Sequence, residues 1–222
     1  MDIKDIIETI NQTEKINGLT IEHNEFDIDF DISPIQFLEY ANKDLESEIK
    51  HKFINALSNA KRAIDGQIES LLKLYGFYKK SKKENWGFPK KLRCLNGIGI
   101  ITPKILEKLN RQRNIMEHEF TNPESEKVED FVDIASLFID GTNRFLMNFV
   151  SLCEGGLKDP ERAVLYQLYP ENGIKIYIFD YTNYDNETGL GGELYENIFD
   201  SNNSEYLEIL KAYHKIAENY PY

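Results

Sequence analysis

Cysteine is nearly missing from this 222-residue chain: Cys94 and Cys153 stand far apart and match no metal-ligand spacing. That excludes a disulfide-stapled scaffold and points to two buried, reduced thiols. There is no apolar run approaching the ~18 residues of a membrane span, so no membrane partner is expected. The start, Met1-Asp2-Ile3-Lys4-Asp5, has no basic stretch leading into an apolar one. No secretory signal is visible there, and a cytoplasmic location is the expectation. No glycine loop of the kind that cradles phosphate is present, nor a cluster of metal ligands, so neither a cofactor nor a metal is expected. What is there is ordinary apolar mass, 41% of residues, and a net charge of −12.

That charge is unevenly spread. Between Lys73 and Arg113 stand twelve basic residues and two acids, Glu84 and Glu107, a local balance of +10 against −22 for the remainder. Such asymmetry is the footprint of a polyanion site on an otherwise repelling surface. Solvated lysines on exposed helix faces are the competing reading, and for the Lys79 to Lys83 cluster alone it is the favoured one.

Along the chain, residues 1 to 18 carry at most one short amphipathic helix. Phe26-Asp27-Ile28-Asp29-Phe30-Asp31-Ile32 alternates apolar and acidic, which predicts a half-buried strand. Its aspartates are spaced like the start of a calcium loop, but Ile32 stands where that loop needs glycine, so the strand reading wins. Ser33-Pro34 signals a helix start, with an N-cap hydroxyl followed by proline at the first helical position. A long helix is expected from about Glu48 to Tyr75, with small residues at Ala56, Ala60 and Ala63 that admit a close neighbour. Lys79 to Gly87 reads as a loop, and Pro89 opens a short helix through Leu95. Thr102-Pro103 launches another helix, and Pro123 precedes a last long one to about Val150. Two strands, 163–169 and 174–179, are joined by the turn Pro170-Glu171-Asn172-Gly173. The strand at 26–32 could add a third member. Residues 182 to 203, rich in Asn, Asp, Glu and Gly, read as a loop, and 205–219 as a final helix.

The helix after Thr102-Pro103 carries the candidate site. On a helical wheel Ile105, Leu109, Met116 and Phe120 share an apolar stripe, and Arg113 interrupts it, about 40° from Leu109. Burying that charge is costly unless it is paired or lies in a wet cleft. An ion pair of Arg113 with Glu117 and a helix-end role for His118 are the structural alternatives. Arg113 and His118 lie about 140° apart on the wheel. They meet only if the arginine curls round or a second copy of the helix completes the site.

Arg113-Asn114-Ile115-Met116-Glu117-His118 resembles the Arg-x4–6-His motif of HEPN domains, including the polar residue directly after the arginine. Asn55 to Asp65 is similar to the first long helix of such domains. Asn110-Arg111-Gln112-Arg113-Asn114 and His118-Glu119-Phe120 extend the likeness, which covers residues 34 to 150. The resemblance implies a HEPN-like helical bundle and does not reach the C-terminal strands; with the strands and last helix read above, the expected fold is mainly α, with a small antiparallel β appendage and a C-terminal helix. Its divisions would be an N-terminal segment 1–33, the bundle 34–150, and a C-terminal hairpin plus helix 151–222. The resemblance further implies a metal-independent endoribonuclease of toxin or defence type. Arg113, Asn114 and His118 would be catalytic and Lys104, Lys108 and Arg111 would bind RNA phosphates. A homodimer is implied, as is an antitoxin or defence partner protein. Phe120 stands where family members paired with a nucleotidyltransferase antitoxin often carry tyrosine. Without a hydroxyl, that mode of silencing is not expected here. A HEPN module that binds RNA or nucleotides without cutting, or acts as an adaptor, is the alternative. A third reading makes the basic window a dock for an acidic protein.

Overall fold

Ser33 and Pro34 begin the first well-packed helix of the computed structural model as the sequence says they should. The Ser33 hydroxyl accepts from the backbone N–H of Gln36 at 3.2 Å, and the Gln36 side chain accepts from the Ser33 N–H at 2.8 Å. This reciprocal capping satisfies two orphan donors of the first turn. The structure describes residues 3–12, 21–100, 106–107, 122–156 and 162–217. In chain order the elements are α1 (Ile3–Asn11), β1 (Ile21–Asn24), α2 (Pro34–Glu46), α3 (Lys52–Leu74), α4 (Tyr78–Lys83), α5 (Phe88–Gly97), α6 (Ser125–Met147), β2 (Phe149–Gly156), β3 (Arg162–Tyr169), β4 (Gly173–Asp180), β5 (Glu193–Phe199) and α7 (Tyr206–Ala217).

The helical layer is built on α3. Ala56, Ala60 and Ala63 on α3 and Ala41 on α2 are fully buried, so backbones approach closely. Mid-helix Gly66 has the same cause: a Cβ there would lie 3.1 Å from the Pro34 ring. Across to α6, the buried Gln67 amide donates to Thr142 at 3.0 Å, and Thr142 donates to the Phe138 carbonyl at 2.7 Å. The first of these bonds ties the two long helices together, and the second, within α6, holds the Thr142 hydroxyl in place to accept it.

The sheet overturns the expected fold class. It has five antiparallel strands in the order β1-β2-β3-β4-β5, so the chain is α+β rather than a mainly α bundle with a small β appendage. Three elements account for the difference. β2 was hidden in the apolar run expected to finish the last long helix, which instead stops at Met147. β5 lies inside the polar stretch 182–203 expected to be a loop. The N-terminal strand is Ile21–Asn24, paired with β2, not 26–32. The alternation at 26–32 is genuine burial in another form: Phe26, Ile28 and Phe30 are half-buried while the intervening aspartates are exposed. That segment lies outside any ladder, with the Phe30 N–H donating to the Ile28 carbonyl at 2.8 Å and a bend at Asp31 and Ile32. Lys79 to Lys83 is likewise helical, within α4, rather than loop.

The hairpin between β3 and β4 forms as expected. Gly173 has φ +119°, and a Cβ there would fall 2.2 Å from the Phe199 carbonyl oxygen, so only glycine fits. The same turn reaches back to the helices, where the Glu171 N–H donates to the Lys73 carbonyl at 3.1 Å, at the exposed end of α3. α7 fills the space between the two layers. Tyr206, Ile209, Leu210 and Tyr213 are buried on it. Tyr206 donates to the Tyr75 carbonyl at 3.0 Å, and Tyr213 donates to the Val150 carbonyl of β2. One apolar cluster therefore runs from Ile64 and Leu71 through Tyr213 to Tyr166 and Ile176. Among the described residues no helix is long and apolar enough to cross a membrane.

Candidate functional site

The described part of the basic window sits on α4, α5 and their connection. α5 is anchored by Leu92 and Leu95, which are buried, while Lys90 and Arg93 on the same helix stay exposed. Much of the positive charge is answered locally. Glu69 of α3, its side chain largely covered, pairs with Lys82 at 3.2 Å and with Lys91. Glu84 accepts from the Trp86 indole at 2.7 Å and from Lys90 at 2.9 Å. Those hydrogen bonds, the indole's first, hold the Glu84 carboxyl below its usual range. Lys90 also lies 4.5 Å from the centre of the Trp86 ring, and Lys73 sits over both Phe30 and Tyr78. Lys80 donates to the Ser201 carbonyl at 2.5 Å. Lys79, Lys83 and Arg93 are exposed and have no ion-pair partner among the described residues.

A groove of about 330 Å³ opens beside α4, where Lys79, Lys80 and Lys83 face Glu84, Glu171 and Asp200. Its charges cancel, so it attracts a lone phosphate weakly. Arg93 is exposed outside this groove, and Lys90 lies against the Trp86 ring. A half-buried indole among lysines offers a base a stacking platform as well as charge for its phosphates.

The six residues expected to do chemistry, Arg113, Asn114 and His118 with Lys104, Lys108 and Arg111, lie outside the described residues, as does Phe120. What is described is their frame. Ile98 and Ile100 are buried just before the segment, Leu106 is buried within it, and α6 follows it, fixed by buried Val128 and Phe131. The motif thus lies in the chain between the lysine-bearing α5 and the long helix α6, with apolar anchors before, within and after it.

Among the described residues, His214, Cys94 and Cys153 are unsuited to proton transfer or attack at neutral pH. His214 is 5% exposed, ringed by Tyr75, Phe145 and Tyr213 at 5.0–5.6 Å. Burial, with Arg144 adding to it, lowers its pKa to about 3, so it is neutral and sealed. Its Nε2 has no hydrogen-bond partner among the described residues. Cys94 and Cys153 are pushed up to about 12 by burial, and a protonated thiol is a poor nucleophile. His23 and His51 are exposed.

Sequence reasoning passed over Trp86 and Glu69. The signal for the first was available: the chain's one tryptophan lies inside its most basic window. Glu69 gave none, because a carboxylate on a helix with an apolar stripe looks like any wet-face residue until lysines from α4 and α5 fold over it. Comparison of the chain with protein-family models, with curated proteins and with solved structures finds no match.

Proposed function

We propose that this chain is a metal-independent endoribonuclease of HEPN type, acting as a toxin or in defence. The observation that carries the reading is the run Arg113-Asn114-Ile115-Met116-Glu117-His118, which follows in the chain a basic stretch whose Lys79, Lys83 and Arg93 are exposed. The chemistry suits these side chains. His118 removes the proton of the RNA 2′-hydroxyl, the 2′-oxygen attacks the adjacent phosphorus, and the bond to the 5′-oxygen breaks as that oxygen takes up a proton. An imidazole near its unperturbed pKa of ~6.5 exchanges protons readily at neutral pH. Arg113 holds the phosphoryl oxygens with a planar, always-charged fork, and Asn114 bonds a phosphate oxygen or orients the imidazole. The products are a 2′,3′-cyclic phosphate and a 5′-hydroxyl. Lys104, Lys108 and Arg111 steer the backbone. The reading includes a homodimer in which two motifs face one another, and an antitoxin or defence partner that restrains the activity.

Arg113→Ala and His118→Ala are each expected to lower RNA cleavage by about 10²–10⁴-fold, with EDTA present throughout and the circular dichroism spectrum unchanged. Equal cleavage by both variants and the parent would remove the nuclease. The second reading, a HEPN module that binds RNA without cutting it, is favoured by one observation: the exposed Lys79, Lys83 and Arg93 offer phosphate contacts but no group that exchanges a proton at neutral pH. It is the reading that stands if RNA binds, the variants behave alike, and charge reversal at Lys79, Lys83 and Arg93 makes the salt dependence of binding shallower by about one unit per cation.

A further inference from the structure

β5 closes one end of the sheet. β4 pairs with it residue for residue from Glu193 to Phe199 without a register shift, and among the described residues no strand pairs with its other side. An edge of that kind leaves alternate backbone N–H and C=O groups pointing outward, able to template a further strand. Native edges are commonly blunted by shortness, a bulge, proline or lysine. The opposite edge, β1, is treated in that way: four residues with a register break between Glu22 and His23. β5 has seven residues, no bulge, no proline and no lysine.

Its side chains also look unfinished. Leu194 and Ile198 are 61% and 60% exposed. Both stand on the sheet face turned away from the core, since they pair with Phe179 and Lys175 while the core-facing Ile174 pairs with buried Phe199. The acids of the strand are engaged within the chain. Glu196 is held by Lys175 at 2.8 Å, and the Tyr195 hydroxyl donates to Glu193.

We propose that β5 is the pairing edge for a second copy of this chain. The two β5 strands run antiparallel about a two-fold axis through Glu196, joining the two sheets into one. The choice of a second copy follows from the register. With the axis at Glu196, Leu194 of each copy lies opposite Ile198 of the other, twice, on one continuous face, which makes two aliphatic cross-strand pairs. A register shift of two residues in either direction sets one of these side chains against Glu196. A shift of one residue throws the aliphatic side chains to opposite faces of the joined sheet. The two Glu196 carboxylates meet at the axis, and each brings its Lys175 ammonium, so like charge at the centre is offset from both sides. The proposal does not depend on Arg113, His118 or RNA.

The axis position gives a direct test on the full-length chain. Cross-strand Cβ atoms at the axis lie about 4.5–5.5 Å apart, close to disulfide reach, and the native thiols of Cys94 and Cys153 are buried. E196C is expected to convert to a disulfide-linked dimer under mild oxidation, on a non-reducing gel, well before N202C, an exposed control beyond the strand. As a second arm, L194K/I198K is expected to keep its circular dichroism spectrum and to halve the mass of the largest species in sedimentation equilibrium. Cross-linking of E196C no faster than N202C overturns the proposal. So does an unchanged mass in the folded L194K/I198K variant, or a parent chain that sediments as a monomer at every concentration, in which case the edge is open to a strand of some other protein.

Discussion

α3 meets its helical neighbours through missing side-chain atoms and meets the sheet through its own last carbonyls. Against α2 and α6 it presents Ala56, Ala60, Ala63 and Gly66, and closeness comes from small volume. At its C-terminal end the Glu171 N–H and the Tyr206 hydroxyl bond the carbonyls of Lys73 and Tyr75, and closeness comes from directed polar contacts, the second of them buried. The two kinds of junction should respond differently to damage. A packed helix pair can slide by tenths of an ångström to absorb a methyl group. A hydrogen-bonded seam between a helix end, a turn and a third element has less such freedom, because its bonds weaken steeply when donor and carbonyl fall out of line.

The sharpest contrast comes from adding one methyl group to each junction. Gly173→Ala puts Cβ 2.2 Å from the Phe199 carbonyl oxygen at a φ of +119°. It is expected to cost at least about 3 kcal/mol, because the β3–β4 turn must move and take the Glu171 contact with it. Gly66→Ala meets the Pro34 ring at 3.1 Å, a contact relieved by a small shift. It also gains up to about 1 kcal/mol of helix propensity. The net change is expected within about 1 kcal/mol of zero. Urea denaturation of both variants decides the matter, and equal losses would erase the distinction between the junctions.

The seam also contains a titratable reporter. His214 sits among Tyr75, Phe145 and Tyr213 with a pKa lowered to about 3. Its unfolded-state value is ~6.5. Below pH 6.5 the unfolded chain takes up a proton that the folded chain refuses, so the neutral imidazole's contribution is complete above 6.5 and is lost progressively as pH falls towards 3. The slope is about 1.4 kcal/mol per pH unit. Set against His214→Phe, the parent chain is expected to lose about 2 kcal/mol more stability between pH 6.5 and pH 5. Parallel stability curves for the two proteins would mean that the histidine is wet.

The helical layer was legible in the residues because its signals are local. Ser33-Pro34 caps α2, the alanines mark the close face of α3, and Pro89 opens α5; each reads within one turn of helix. The hairpin at Pro170 to Gly173 was legible for the same reason. β2 and β5 were not. Phe149 to Gly156 continues an apolar run with no breaker before it, and only pairing with β1 and β3 makes it a strand. β5 carries Glu193, Glu196 and Asn197 because just one of its faces and one of its edges are satisfied, so its composition imitates a loop. The strand expected at 26–32 erred in the other direction: alternation reports burial, and burial does not require a ladder. For the site, the sequence supplied residue types and spacing. It could not supply the Glu69 and Glu84 partners that take up part of the basic window's charge, since those are set by how α4 and α5 fold back on α3.

Tyr206→Phe and Ser33→Ala give the smallest effects and the finest test. Tyr206→Phe leaves the buried Tyr75 carbonyl without its donor, an expected loss of about 1–2 kcal/mol. Ser33→Ala removes one half of the capping box at the start of α2, an expected loss of about 1 kcal/mol. The first lies at the seam and the second at the far side of the helical layer, and α3 packs against both α2 and α6 while its end meets the seam. If seam and layer are independent junctions, the double variant should lose the sum of the two within about 0.5 kcal/mol, with an unchanged denaturant slope. A coupling energy clearly above that figure would mean that α3 transmits strain along its length. The N-terminal alanine face and the C-terminal carbonyls would then be two ends of one cooperative unit, because moving the helix against α2 would also move the carbonyls that Tyr206 and the β3–β4 turn must reach.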